Sequence, residues 1–166
     1  GDTITLTSWA KTSGFAKIGQ VVSATKTDTF SSNSSSFVDL TDITVDITPS
    51  TTSSKILILC FLSVSATSGG TPQLKLQRDS TDIAIGDAAG SRGRVTASFN
   101  NTGTADMTSV VINFLDSPAT TSSTTYKIVG RGYNTNYIYI NRTTQDNDEV
   151  YRHRGVSTIT AMEILD

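Results

Sequence analysis

Apolar and polar positions along this 166-residue chain alternate in short stretches, with almost no helical period. "DITVDIT" and "TYKIV" show the pattern: every second position is apolar, which puts one set of side chains on each face of a strand. Clusters of Gly, Asn, Ser and Pro separate these stretches, as in an all-β sandwich or barrel. From Gln20 onward the pattern predicts strands near 20–26, 36–48, 54–66, 72–78, 81–86, 93–99, 107–115, 124–131, 136–141 and 156–164. Phe37, Leu40, Ile43, Val45 and Ile47 do not keep one alternation, and a bulge near Asp39 to Asp42 restores it. "KILILCFLSV" is apolar on both faces, which predicts a central strand covered on both sides. Pro49, Pro72 and Pro118 fall between strands, where a missing amide donor does no harm. So many short strands predict an all-β fold, a jelly-roll-like antiparallel β-sandwich. The expected core comprises Val21, Phe37, Ile43, Val45, Ile56, Ile58, Phe61, Leu74, Ile83, Ile112, Phe114, Ile128, Ile138, Ile159 and Met162.

Composition explains how so polar a chain still folds. Hydrophobic residues make up 36%, below the usual share of about 45–50%. About 50 residues are Ser or Thr, so the shortfall is filled by hydroxyls and not by charge. Threonine is β-branched and suits a pleated surface. The net charge of -2 leaves no basic footprint for nucleic acid or anionic lipid. No apolar run approaches the roughly 18 residues of a membrane helix. The single cysteine, Cys60, lies inside the longest apolar run, Ile56 to Val64, and is expected to be a buried core thiol.

Residues 1–17 stand apart from the sandwich, 18–166. Ile4 and Leu6 share one face of a short alternation with Thr3, Thr5 and Thr7 on the other, followed by Trp9 and Phe15. No turn brings a partner strand at hairpin distance, and a lone strand is unstable in water. Ile4, Leu6, Trp9 and Phe15 are therefore expected to pack against another copy of the chain, or to continue a shaft upstream. The chain opens at Gly1 without a signal peptide, and is expected to be a segment of a longer one.

Candidate chemistry is sparse. "GDAAGSRGR", Gly86 to Arg94, matches neither phosphate-binding fingerprint and reads as a tight loop. "QDNDE", Gln145 to Glu149, gathers oxygen ligands suited to a hard cation but lacks calcium-loop spacing, and reads as an acidic turn. His153 is the only histidine, which excludes a multi-histidine metal site within one chain, and no GxSxG motif accompanies it. No motif places two carboxylates across a cleft for glycoside hydrolysis. The sequons at Asn100 and Asn141 carry meaning only in a eukaryotic secretory setting. The reading is therefore non-enzymatic, with no cofactor and no metal.

The aromatic stretch "YNTNYIYINR", Tyr133 to Arg142, is the strongest binding candidate, since rings stack on sugars and amides bond their hydroxyls. Tyr137 and Tyr139 alternate with Ile138 and Ile140, so one set faces inward. If "QDNDE" closes a hairpin, Tyr133, Asn134 and Asn136 come beside Tyr151, Arg152, His153 and Arg154. That patch suits an acidic or neutral surface sugar. Alternatively the arginines pair with Asp146, Asp148 and Glu149 and hold the hairpin's register.

"DITPSTTSSKILIL", "LQRDSTDIAIGDAAGSR", "NFLDSPATTSSTTYKI", "YINR" and the ending "STITAMEI" occur here in one order. Together they resemble a widespread family of phage virion proteins. Its members are found especially in marine and cyanobacterial phages, as the C-terminal module of tail fibres and related appendages. The likeness spans residues 18 to 166, and "GDTITLTS" resembles the end of the β shaft that commonly precedes the module. The resemblance implies a virion-borne homotrimer at the tip or knob of a fibre, beside other virion proteins, and carries over no catalytic residue; contact with a host surface glycan or protein, folding of the fibre and decoration of the capsid all stay open as its role. Nucleic acid and membrane are not expected partners. A capsid-decorating cement protein and a secreted carbohydrate-binding or adhesin β-sandwich remain the alternatives.

Overall fold

The computed structural model describes residues 17–134 and 136–165. The short strand, Trp9 and Phe15 expected in residues 1–16 lie outside the described residues.

The alternating stretches form eleven strands. They are β1 (Lys17–Lys26), β2 (Phe30–Ser32), β3 (Val38–Ile47), β4 (Lys55–Ala66), β5 (Gln73–Arg78) and β6 (Thr81–Ile83), followed by β7 (Ala97–Ser98), β8 (Thr108–Asp116), β9 (Thr124–Arg131), β10 (Ile138–Ile140) and β11 (Ser157–Leu165). No helix occurs among the described residues. All pairings are antiparallel.

Two sheets result. In the first, β4 has β8 along one edge; along the other, β11 covers Lys55 to Phe61 and β10 covers Val64 to Ala66. β1 and β2 flank β11 and β10 in turn. The lanes therefore read β1/β2, β11/β10, β4, β8. The second sheet reads β3, β9, β5, β6, with β7 continuing the β6 lane along β5. Apart from the β5–β6 hairpin and the breaks within a lane, each connection crosses from one sheet to the other. Eight lanes wound this way make a jelly roll, the double-sheet solution to the exposed-edge problem.

The inner faces meet in one core. Ile56, Ile58, Cys60, Leu62 and Val64 of β4 face Leu74 and Leu76 of β5, Tyr126 and Ile128 of β9, and Leu40, Ile43 and Ile47 of β3 within a single buried cluster. The β3 register slips between Asp39 and Thr44, with Asp42 at φ 64°, so the expected bulge is present. Four expected core residues, Phe37, Ile83, Phe114 and Met162, are half-buried. Phe37 lies before β3, with Lys75 Nζ 4.3 Å and Arg131 Cζ 4.7 Å from its ring centre. Two others are corrected outright: Val21 is 53% and Phe61 40% exposed. Both fall on the outward parity of their strands. β4 is central, but its second face is not covered within the chain: Leu57 and Leu59 are half-buried beside Phe61.

Most buried polar groups sit where lanes break or strands end and are hydrogen-bonded; Asn101 Oδ1 and Arg152 Nε are buried without a partner. Between β11 and β10, the Asn141 amide donates to Lys26 O and Asp28 O and accepts from Ser157 Oγ, while Ser157 Oγ takes the Ser63 amide. This closes the ladder that the break leaves open. Lys26, with its side chain fully enclosed, reaches Asp28 at 2.7 Å and Asp42 at 3.3 Å. The Asp28 carboxyl is held below its ordinary value, chiefly by that lysine's hydrogen bond. Near the opposite end, Asp116 receives the Tyr126 hydroxyl at 2.6 Å and Arg78 at 2.9 Å. Burial first, and then the Asp116 carboxylate, push the Tyr126 phenol far up.

Glu163 is almost fully enclosed and accepts from the Ser50 amide and hydroxyl at 2.6 Å, Ser54 Oγ at 2.7 Å and Gln20 Nε2 at 3.0 Å. Burial pushes its carboxyl up, and these donors together outweigh that and hold it at about 2, below the ordinary 4.5. A depressed carboxyl stabilises the fold fully above its unfolded pKa and loses that contribution as pH falls toward the folded value. Glu163→Gln should therefore cost about 1–3 kcal/mol near neutral pH, from donors left without a charged acceptor. The gap to wild type, measured by urea unfolding, should narrow between pH 4.5 and 2. Burial also pushes the Cys60 thiol up to about 12. A thiol reagent at pH 8 should leave it unmodified in the native protein and label it once the chain unfolds.

Candidate functional site

The two outer faces of the sandwich differ in kind. On the second sheet the outward residues are charged and mutually bonded. Lys127 meets Asp39 at 2.8 Å, Lys75 meets Asp82 at 2.5 Å, Gln77 donates to Asp82 at 2.8 Å, and Thr125 donates to Asp46 at 2.5 Å. That is a solvated face. On the first sheet, directly paired residues share a face, so the register defines rows. One row runs Val21, Met162, Leu57, Leu115; the next runs Ser23, Thr160, Leu59, Asn113; the third runs Thr25, Thr158, Phe61, Val111. Ile18 and Ile164 extend the pattern toward Lys55. Val111 is 69% exposed, Ile18 54% and Leu115 48%. The apolar strip thus starts at the corner where β1 begins and crosses diagonally to β8. Lys55 is the one charged residue in these rows.

Beyond Phe61 the same outer face changes character. Ser63 and Ser65 follow on β4, and Gly155 lies over Ser63. A Cβ at residue 155 would fall 2.6 Å from the Ser63 Cβ, so only glycine lets the chain pass. The segment 142–156 rises here as a hairpin, with Arg142 bridged to Arg154 and Gly155 donating to Asn141 O at 3.1 Å. Asp146 ties its base, taking Arg154 at 2.8 Å and Arg142 at 3.4 Å. Arg152 bonds Gln145 Oε1 and lies 4.7 Å over the Tyr151 ring. Asp146, Asn147, Asp148, Glu149, Arg152 and Arg154 line an open cleft of about 220 Å³. No group of three or more metal-ligating side chains occurs among the described residues.

Past the hairpin, Ile138 and Ile140 point into the core and Tyr137 and Tyr139 point out. The two tyrosine rings stack at 5.5 Å and 9°, and the Arg142 guanidinium lies 4.8 Å over Tyr139. Small neighbours, Ser31 and Ser65, flank Tyr139 on both sides; Tyr137 is exposed and Tyr139 half-buried. Tyr137 brackets Thr67, taking its amide at 3.2 Å through the carbonyl and bonding its hydroxyl at 2.9 Å. Tyr133 is exposed at the tip of a turn closed by Asn136 N donating to Tyr133 O at 3.2 Å, with Asn134 at φ 51°. Gly132 is required there: a Cβ would fall 1.7 Å from Asn136 O.

The sequence-derived patch is therefore laid out in two groups. Tyr133, Asn134 and Asn136 lie at the far end of β10. Tyr151, Arg152, His153 and Arg154 lie on the hairpin, which Thr144 ties to Ala66 O and Arg152 to Thr104 Oγ1. After residue 156 the chain turns into β11, away from β10, so it does not return to Tyr133. Tyr137 and Tyr139 join the far group instead, and the alternation with Ile138 and Ile140 was the signal for them; Arg142, at the base of the hairpin, reaches Tyr139 with its guanidinium.

Two acids do sit close together. Asp116 and Glu163 both pair with Ile56, from opposite sides, two strand spacings or about 10 Å apart. Both are buried, with Ile56 between them and structural donors on each, so neither faces a cleft that admits substrate. Cys60, deep in the core with its thiol pushed up, is no nucleophile.

No protein-family model and no curated protein matches the chain. Among solved structures, that of infectious bursal disease virus strain Gt is similar at 14% identity, over 88% of this chain and 42% of that one, with a TM-score of 0.43. This chain thus spans about two fifths of the length of the viral chain it matches. Its assignment as a jelly roll rests on its own strand order.

Proposed function

We propose that this chain is a non-enzymatic building module of a phage virion, the tip domain of a tail fibre or similar appendage, assembled as a homotrimer. The observation that carries the reading is the contrast between its outer faces. One is charged and solvated; the other bears an apolar strip with Val111 69% exposed. An apolar patch of this extent on a soluble domain marks a surface that is covered by a partner. A fibre needs copies that all run the same way along its axis, which favours cyclic assembly over a two-fold dimer. The five ordered stretches that resemble phage appendage modules point the same way.

Host contact belongs to the end remote from Lys17. There Tyr133, on its turn, and Tyr137, stacked on the half-buried Tyr139 and bonded to Thr67, are exposed. Tyrosine faces suit sugar rings, and three copies per fibre multiply a weak single-site affinity.

Micrographs of the particle labelled with an antibody to this domain should show label at fibre tips; label spread over the head would identify a capsid-decorating protein instead. Replacing Tyr133 and Tyr137 together by alanine should reduce adsorption to host cells at least tenfold while leaving the melting temperature unchanged. Full adsorption by the folded double variant would remove this end of the molecule from host binding.

A further inference from the structure

The strand register brings four connections to one end of the sandwich. Ser32, Ala66 and Ile138 share one rung of the first sheet, and Gln73, Ser98 and Arg131 share one rung of the second. Segments 33–37, 67–72, 99–103 and 132–137 all leave or enter at these two rungs. They are also tied to one another. Gly69 donates its amide to Asn101 O at 2.7 Å and Ser68 Oγ donates to Thr102 O at 3.0 Å. The Asn101 side-chain amide donates to Ala66 O at 2.7 Å and Gly103 O at 2.6 Å, and the Tyr137 amide to Thr67 Oγ1 at 2.9 Å. None of the residues in these four segments is charged, in a chain that is 17% charged. Apart from Phe37, Pro72 and Phe99 they are Tyr, Asn, Ser, Thr and Gly.

The charges that border this end are already committed, or have the wrong sign for an anion. Arg131 gives Nε and Nη2 to Gln73 Oε1 at 3.0 and 2.8 Å, and Nη1 to Ser35 O at 3.2 Å. Arg142 gives its guanidinium to Thr143 O, Thr144 O and Asp146. Arg152 and Arg154, the two arginines suited to an acidic sugar, are held on the hairpin by Gln145 and Asp146. Asp106 is exposed and takes the Thr102 hydroxyl at 3.2 Å. An acidic ligand desolvated here would keep its charge without a counter-charge, which is costly, and would meet the Asp106 carboxylate. The groups on offer are neutral. Tyr133 is 47% exposed, and Tyr137, backed on one face by Tyr139, is 39% exposed. Asn33 and Asn100 are exposed amides. Tyrosine rings take the C–H faces of a sugar, and an amide gives its hydroxyls both a donor and an acceptor. The same mixture, Tyr for rigid contact area with Ser, Gly and Asn for adaptable hydrogen bonds, makes antibody combining sites. We infer that the end bearing Tyr133 and Tyr137 takes an uncharged, hydroxyl-rich ligand, a neutral sugar of the host surface, and rejects acidic sugars. The inference rests on the host contact proposed above and names the ligand class of that site.

The probe is host-cell surface polysaccharide, separated by anion exchange into a neutral and an acidic fraction and immobilised for interferometry with the full chain. The wild type should bind the neutral fraction, with a response that changes less than twofold between about 0.1 and about 1 M NaCl, since no ion pair is there to be screened. The double variant Tyr133→Ala, Tyr137→Ala should bind that fraction at least tenfold more weakly with unchanged far-UV circular dichroism; Tyr133→Ala alone serves if the double variant misfolds. Tyrosine-dependent binding confined to the acidic fraction would overturn the inference and leave host contact standing. So would binding to neither fraction while whole cells still retain the wild type and not the variant, because the receptor is then not a sugar. Neutral-fraction binding that the variant keeps in full would overturn the inference and remove this end of the molecule from host contact. A wild type that binds neither fraction nor whole cells would overturn both.

Discussion

Strand β4 sets the terms for the rest of the molecule. It is twelve residues long, apolar on both faces through its first half, and pairs with three other strands. Its inner side chains anchor the core between the sheets, each worth about 1.5–3 kcal/mol of burial. A jelly roll has only two layers, so it can cover one side of any strand. The sequence nonetheless gives Leu57, Leu59 and Phe61 to the other side, and neighbouring lanes match them with Met162, Val111 and Leu115. One row, Val21, Met162, Leu57 and Leu115, is apolar across four strands, and this strip is the surface that the proposed assembly would cover.

The same strand divides the outer face by chemistry. Its first half lies with β11, β1 and β8 and is apolar; its last residues are serines beside the Tyr137–Tyr139 stack. The partner strand changes from β11 to β10 between these halves, and a break in a ladder exposes backbone donors and acceptors. Asn141 and Ser157 satisfy them, and the hairpin 142–156 leaves through the gap, held down by Asp146. One polar seam therefore repairs the sheet and partitions its surface. β1 begins at the apolar end, and the exposed Tyr133 and Tyr137 occupy the other.

Much of the fold was legible because a period of two is unambiguous when turn residues punctuate it. Seven strands matched expected segments closely, 81–86 and 136–141 shortened to Thr81–Ile83 and Ile138–Ile140, and the slipped alternation after Phe37 foretold the β3 bulge. The segment 93–99 shrank to Ala97–Ser98. β2 was not foreseen: three residues amid "TFSSNSSS" carry no alternation, and tertiary pairing with β10 alone makes them a strand. Phe61 and Val21 went to the wrong face because hydrophobicity identifies a buried residue only when a second layer is present to bury it. The layout of the candidate site was harder still. Tyr133 and Arg154 are tied to different ends of one short strand, and only the full path of the chain, which turns into β11 after residue 156, separates them. Glu163, the most heavily bonded acid among the described residues, gave no sequence signal, since its donors come from residues 20, 50 and 54.

Hydroxyl-radical footprinting of the assembled protein tests the central claim most directly, because it reads side-chain exposure residue by residue. If the outer face of the first sheet is an assembly surface, Phe61, Leu57 and Met162 should oxidise far more slowly in the native oligomer than Tyr133 and Tyr151, whose exposures of 47% and 50% are close to the 40% of Phe61. Oxidation of Phe61 and Met162 at the rates their exposure in the single chain implies would show the face open to water and contradict the account.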